Sequence, residues 1–583
     1  MKFVETSSYR KDIDGLRAIA VIAVILFHFG ALPNGYLGVD VFFVISGYLI
    51  TSIIARELNE NRFSIFNFYI RRTRRILPLT LFLVFVSLAI GVFVMLPDDL
   101  ENLAQSVVAT NLFSNNVLQA ITTRNYWDVV NEFKPLIHTW SLGVEEQYYI
   151  IYPILLFWVS KYHKKLLLPT LIILSIASLV LYFSPFEQHE KFYYLPFRFF
   201  ELTFGGIAAL SLRDKVIAHN YALFFVVGLI LILCMNLSFL PSQYTLLITV
   251  MLTLGIIITA NNKDRMSSII LQNQVSVAIG LISFSLYMWH QIILSYTRYF
   301  VVQKPEILHL SVIFFLTILL STITYNVIEK PFRNKNSIRI GILLSILGLL
   351  FTITTLFSLY IYWKGGVMKD VPELAISKSD AKRNIHEYYN SRIYSYDKPF
   401  GNNPSQIKVL VIGNSFGRDW ANILLESNFN RNIDLSYYDP LDNLDSQSRI
   451  KDADIIFYST ATKEDVKKLG IDEYKLFIVG TKNFGINSGY FYNYSGNDYF
   501  SQRTLMEDGY LAYNNKLKSE WGDRYIDLIG KIMDKNHTVP VFTPDNMFIS
   551  QDCRHLTKAG ARYFASLFEN ELSSFFDKNH NKR

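Results

Sequence analysis

Cysteine and charge are what this chain has least of. Two cysteines stand in 583 residues, Cys234 inside an apolar run and Cys553 in a polar region. Neither a disulfide framework nor a paired-cysteine metal site can be built from them. Charged residues make up 18% of the chain, against about 25% in ordinary soluble proteins. No Walker-type loop or Gly-x-Gly-x-x-Gly run occurs, so nothing points to ATP-driven chemistry. A cleavable signal peptide is not expected, because the first apolar run begins after Arg17 and lacks a small-residue cleavage site.

Apolar and aromatic residues are abundant instead, at 51% and 15%, and mean hydropathy is +0.23. That average covers two unlike parts. Up to about Trp363 the chain is a series of long apolar runs, and beyond it polar and charged residues return. The pattern excludes both a wholly soluble enzyme and a pure channel. It predicts a membrane domain carrying a soluble one.

A helix needs about 20 apolar residues to cross the hydrocarbon core. Residues 76–96 and 340–363 are uncharged runs of 21 and 24, and residues 221–262 give 42, enough for two spans turning near Pro241. The remaining runs bring the expected spans to 16–32, 38–55, 76–96, 147–160, 166–183, 197–212, 221–238, 243–260, 278–298, 307–328 and 340–363. With a cytoplasmic N-terminus, the inside loops hold 21 Lys and Arg and the outside loops five. This positive-inside bias supports that orientation. It also accounts for the net charge of +7 without invoking nucleic acid. Eleven spans place the polar tail outside the cytoplasm, with the last span exporting it.

Ionisable residues within spans are costly and mark function. Arg17 opens the first span and His28 follows eleven positions later, roughly 16 Å of axial rise. Asp40 enters the second span. Arg71, Arg72, Arg74 and Arg75 precede the third, where topology alone or an anion site explains them, since guanidinium forks suit phosphates. Glu145 and Glu146 stand at the outer mouth of the expected fourth span, and Arg198 and Glu201 begin the sixth. Tyr287 and His290 lie in an aromatic, hydroxyl-rich span, and Glu329 closes the tenth. Together they point to a reaction centre or conduction path.

Over roughly residues 9–333 the chain resembles the acyltransferase 3 family of integral-membrane acyltransferases. The match rests on Asp14-Gly-Leu-Arg17-Ala-Ile-Ala, the Arg17-to-His28 spacing and Gly38-Val-Asp-Val-Phe-Phe-Val-Ile-Ser-Gly47. Further support comes from Tyr69-Ile-Arg-Arg-Thr-Arg-Arg-Ile-Leu-Pro78, Trp140-Ser-Leu-x-x-Glu145, Ser285-Leu-Tyr-x-Trp-His290 and Glu329-Lys-Pro-x-Arg333. The resemblance implies ten spans that take an acetyl group from cytoplasmic acetyl-CoA and pass it to a carbohydrate outside, with no metal. It implies that Arg17 and His28 are required, along with an Arg-x-x-Arg element that is either Arg71/Arg74 or Arg72/Arg75. On physical grounds His28 suits a general base. The inside arginines suit the phosphates of CoA.

Residues 334–363 are then a linking span, 364–404 a polar linker, and 405–583 an extracytoplasmic domain. In that tail a β-branched run from Ile407 ends in Gly413-Asn-Ser415 and leads into a helix-like stretch at 419–425. Strand candidates at 454–459, 476–480 and 539–543, with helices between them and at 557–576, predict a parallel sheet with covering helices. Either Gly413-Asn-Ser415 or Asp552-Cys-Arg-His555 alone is a common local pattern. Together they supply nucleophile, base and orienting carboxylate. Residues 405–577 resemble the SGNH hydrolase family, which implies Ser415 as nucleophile, His555 as base and Asp552 as its partner. Asn483 and Asn487 compete for the family's oxyanion asparagine, and no second-block glycine lies between Asp454 and Lys468.

The expected protein is therefore a multi-pass bacterial inner-membrane O-acetyltransferase with a periplasmic tail. Its expected acceptor is an exported glycan, lipopolysaccharide O-antigen by family analogy, with peptidoglycan or capsule as alternatives. Competing readings are a glycan esterase tail on a separate membrane module, a transporter relaying through His28, Asp40 and His290, and a glycan-binding tail on an anchor.

Overall fold

In a computed structural model, the structure describes all residues except 1–8, 123–128, 212–220, 238, 261–264, 303, 380–384, 440–446, 486, 507 and 581–583. The chain forms two compact units. The first comprises residues 1–90, 105–297 and 304–358, and the second 91–104, 298–303 and 359–583.

The first unit is helical, as long apolar sequence must be where no water can satisfy a free backbone. Helical segments fall within each of the eleven expected spans, including Lys11–His28, Gly38–Asn59, Trp140–His163, Leu195–Ser211 and Ser242–Thr259, though the first ends four residues short. By length and composition, six among the described residues can cross a membrane. A seventh counts if the bent pair Gln274–Leu281 and Ser283–Phe300, which meet at 67°, is one span. The protein is a multi-pass membrane protein. Pro241 ends the expected turn by preceding the helix Ser242–Thr259. Gly38–Asn59 and Leu195–Ser211 cross closely, and a Cβ on Gly47 would lie 1.8 Å from the Leu202 carbonyl oxygen. Small residues let two backbones approach so closely, which is how helices associate where lipid offers no hydrophobic drive.

One expectation about this unit needs correcting. The fourth predicted span begins at Trp140 rather than at 147. Glu145 therefore lies more than one turn inside the helix rather than before its first residue. Trp140-Ser-Leu-Gly carries no charge, and its tertiary packing extends the helix past the apolar run.

The second unit is α/β. Its parallel sheet has the order β2-β1-β3-β4-β6, formed by β1 (Ile407–Ile412), β2 (Ile433–Tyr438), β3 (Ile455–Ser459), β4 (Leu476–Val479) and β6 (Tyr525–Ile526). Val409 and Val411 join one hydrophobic cluster while Leu410 and Ile412 join another. Burial on both faces is why β1 reads as a continuous apolar run after Lys408. β5 (Arg503–Leu505) and β7 (Thr538–Pro540) pair antiparallel in a separate ribbon. The strand expected at 539–543 is thus not part of the parallel sheet, and the two-residue edge strand β6 was too short to find. The helix expected at 557–576 is two helices, Lys558–Leu567 and Glu569–His580. Within the expected linker, Tyr389 and Ile393 are buried in the same cluster as Val409, so that segment is part of the fold.

Candidate functional site

Each unit contains a constellation of polar groups that the sequence singles out. In the helical unit, Nδ1 of His28, at the end of the first helix, lies 2.8 Å from Nε2 of His290. The rings stack at 5.0 Å. Nδ1 of His290 lies 2.5 Å from the Tyr287 carbonyl oxygen. A carbonyl only accepts, so in the neutral pair His290 carries its proton on Nδ1 and accepts from His28 Nδ1–H. That leaves Nε2 of His28 as the unprotonated nitrogen, the one able to take a proton.

Tyr287 connects this pair to a cavity. Its hydroxyl lies 2.6 Å from Ser141 Oγ and donates to the His138 carbonyl at 2.9 Å. The cavity is lined by Arg17, Arg72, Arg75, Glu145, Tyr149 and Tyr287, among others. Glu145 accepts hydrogen bonds from Ser46 and Tyr149, and Arg17 lies 3.4 Å from Asp14.

The structure separates the two registers of the Arg-x-x-Arg element. Arg72 and Arg75 line the cavity. Arg71 instead pairs with Glu57 at 2.9 Å, and Arg74 donates to the carbonyls of Phe332 and Ile338 at 3.1 and 2.8 Å. Glu329 accepts from Ser285 and sits outside the cavity lining. Sequence reasoning missed His138. Its ring is fully buried and packs edge-on to Tyr287 and His290, with centroids 5.4 and 5.5 Å away. The signal was available, since His138 stands two residues before Trp140 in the motif already singled out.

In the α/β unit, Ser415 opens the helix Ser415–Glu426 directly after β1. Strand order reverses about β1, and the carboxyl edge at such a switch point is where open α/β sheets place ligands. Gly413 makes the turn at φ +139°, where a Cβ would meet Ser459 Oγ at 1.9 Å. The Asn414 side chain accepts from Phe416 N–H at 3.0 Å and caps the helix.

Asp552 and His555 are brought together as expected. His555 Nδ1 lies 2.5 Å from Asp552 Oδ2, while Asp552 Oδ1 accepts from the N–H groups of Arg554 and His555 at 2.9 and 2.7 Å. Asp419, one helical turn beyond Ser415, ties this loop to the Ser415 helix by accepting Leu556 N–H at 2.8 Å. Asp419 also pairs with Lys482, and both side chains are 1% exposed. No hydrogen bond joins Ser415 to His555 in this structure, and apo catalytic contacts often tighten only around substrate.

The two asparagines differ. Asn487 caps the helix Ser488–Tyr492 through Gly489 N–H at 3.0 Å, and its amide nitrogen donates to the Arg298 carbonyl at 3.4 Å. Asn483 is fully buried and accepts from Gly485 N–H at 3.1 Å. Its amide nitrogen has no partner among the described residues. Thr460, after β3, adopts φ +52°, a conformation that favours glycine. Its N–H donates to Val479, so it is not a spare oxyanion donor. Between Asp552 and His555, burial pushes the Cys553 thiol up to about 12, which disfavours the reactive thiolate. No cluster of three or more His, Cys, Asp or Glu is arranged for a metal among the described residues.

The helical membrane unit thus holds a histidine pair and an arginine-lined cavity that Tyr287 connects. The chain belongs to the acyltransferase family, whose Acyltransferase domain it matches over residues 10–326. It is similar to the O-acetyltransferase OatA of Staphylococcus aureus, with 30% identity over 351 residues in strains NCTC 8325 / PS 47 and COL. That match covers 56% of this chain and 58% of each relative, so the chain spans little more than half of their length. No solved structure matches it.

Proposed function

We propose that this protein is an O-acetyltransferase that moves an acetyl group from acetyl-CoA to a hydroxyl of an exported glycan. The observation that carries the reading is the His28–His290 pair linked through Tyr287 to a cavity holding Arg17, Arg72 and Arg75. Three guanidinium groups around one cavity fit the phosphates of CoA. Acetyl-CoA supplies the activated acetyl thioester. His28 Nε2 takes the proton of the attacking hydroxyl, and His290 holds its ring in the required tautomer. The new ester C–O bond replaces the C–S bond, and the departing thiolate recovers a proton.

Asp552, His555 and Ser415 support a second acyl-handling step in the α/β unit, on an SGNH-like scaffold. There His555 accepts the Ser415 proton, Asp552 stabilises the imidazolium, and the Asn483 amide donates to the oxyanion. Ser415 Oγ attacks an acetyl ester handed on by the helical unit, the ester C–O bond breaks, and the released hydroxyl takes the proton from His555. The acyl-Ser415 then passes its acetyl to a sugar hydroxyl or loses it to water. The proposed setting is a bacterial inner membrane with the N-terminus in the cytoplasm and the α/β unit outside. O-antigen is the acceptor proposed by family analogy, with peptidoglycan or capsule as alternatives.

The test follows labelled acetyl from acetyl-CoA into surface glycan in cells carrying wild type, His28→Ala or Ser415→Ala. Loss in both variants supports the two-stage reading. Loss in His28→Ala alone makes Ser415 a hydrolase residue. An expressed wild type that labels no glycan sinks the transferase reading in favour of a transporter.

A further inference from the structure

A second cavity in the helical unit, of about 240 Å³, is lined by Tyr36, Asp40, Trp140, Tyr182, Lys191 and Arg198, among others. Its volume lies just below the ~300–1,000 Å³ of drug-sized ligand sites, so it suits one small ring rather than a CoA molecule. Val39 lines both this cavity and the one holding Arg17, Arg72 and Arg75.

The charges on its wall are unequally matched. Arg198 Nη2 donates to Asp40 Oδ1 at 2.5 Å, and its Nε lies 3.2 Å from Glu201 Oε1. One guanidinium thus answers two buried carboxylates. Lys191 answers none: it is 4% exposed, and among the described residues its ammonium has no carboxylate within ion-pair distance and no hydrogen bond. His189 and Gln188 share the rim. A buried, unmatched ammonium is costly unless an anion reaches it. Aromatic rings line the same cavity: Trp140 and Phe192 have centroids 4.5 Å apart, and both face Arg198. Faces of this kind pack against the C–H face of a sugar ring, while the polar groups fix its orientation.

We propose that this cavity binds the acceptor, and that the acceptor is an anionic carbohydrate whose carboxylate or phosphate pairs with Lys191. The word acceptor rests on the acetyl-transfer reading. The ligand class rests only on the cavity. A sugar held there has its hydroxyls beside Val39, on the border of the arginine-lined cavity. Carboxylate and phosphate supply the same chemistry to Lys191, and the probes below separate them.

The full chain in nanodiscs is titrated calorimetrically with glucuronic acid, glucose 6-phosphate, glucose and inorganic phosphate. At least one charged sugar is expected to bind about tenfold or more tightly than glucose. Lys191→Met should reduce it to the glucose level and Lys191→Arg should retain it, with acetyl-CoA binding unchanged in both as the check on folding. Equal binding of glucose, an unaffected Lys191→Met protein, or inorganic phosphate binding as tightly as the sugar phosphate each overturns the proposal. Charged-sugar binding that depends on Lys191, in a wild type that transfers no acetyl, keeps this inference and removes the transferase reading. Acetyl transfer without such binding does the reverse.

Discussion

Nδ1 of His28 and Nε2 of His290, 262 positions apart in sequence, lie 2.8 Å from each other with their rings stacked. The Tyr287 carbonyl at 2.5 Å from His290 Nδ1 determines the direction of that hydrogen bond. A base whose second nitrogen is held this way presents one tautomer to its substrate, as a catalytic imidazole needs.

His28→Ala should lower the rate of acetyl transfer by about 10²–10⁴-fold, the usual contribution of a general base. His290→Ala should lower it less and His290→Gln least, because a side-chain amide still accepts from His28 Nδ1–H. Single-turnover transfer of labelled acetyl by the purified full chain measures all three. Equal losses in both His290 variants would show that accepting this hydrogen bond is not the role of His290.

The arginines should divide by what they touch. Arg72→Gln and Arg75→Gln remove cavity cations and should each weaken acetyl-CoA binding by about tenfold or more. Arg71→Gln loses an exposed pair with Glu57, worth about 0–1 kcal/mol at most, and should leave that binding near the wild-type value. Equilibrium binding of acetyl-CoA distinguishes the two registers.

In the α/β unit, Asn483→Ala should reduce turnover of an acetyl ester by about 10²–10³-fold with little change in KM, as removal of one oxyanion donor does. Asn487→Ala removes a helix cap and should cost about 1 kcal/mol of stability instead. Ester turnover and thermal unfolding, measured on both variants, test the distinction.

Asp419→Ala should destabilise the protein by about 3–5 kcal/mol, since it leaves the Lys482 ammonium buried without its partner. It also strands the Leu556 N–H that follows His555. Asp419→Leu combined with Lys482→Met should recover part of that stability, yet not the ester turnover, because the hydrogen bond from Leu556 N–H that ties the His555 loop to the Ser415 helix is still lost. Denaturant unfolding and turnover of the double variant separate a positioning role from a merely structural one.

The sequence by itself determined the features that depend on local chemistry. Apolar runs long enough to cross a bilayer specify helices wherever water is absent. The β-branched run from Ile407 ending at Gly413 specifies a strand and a sharp turn before Ser415. Asp552 and His555, three residues apart, need only one loop to meet. The motifs around Arg17, His28 and Trp140 marked the family, and the match over residues 10–326 bears that out.

Only the tertiary structure decided relations between distant segments. Four adjacent arginines carry the same charge, and helix rotation alone turns Arg72 and Arg75 inward while Arg74 meets the carbonyls of Phe332 and Ile338. Asn483 and Asn487 are chemically identical, and what separates them is which amide the fold has already engaged. Lys191 read as one more loop cation. Its isolation becomes visible once Asp40 and Glu201 are both seen to converge on Arg198. Pairing of charges is a property of three-dimensional distance, and residue spacing along the chain does not encode it.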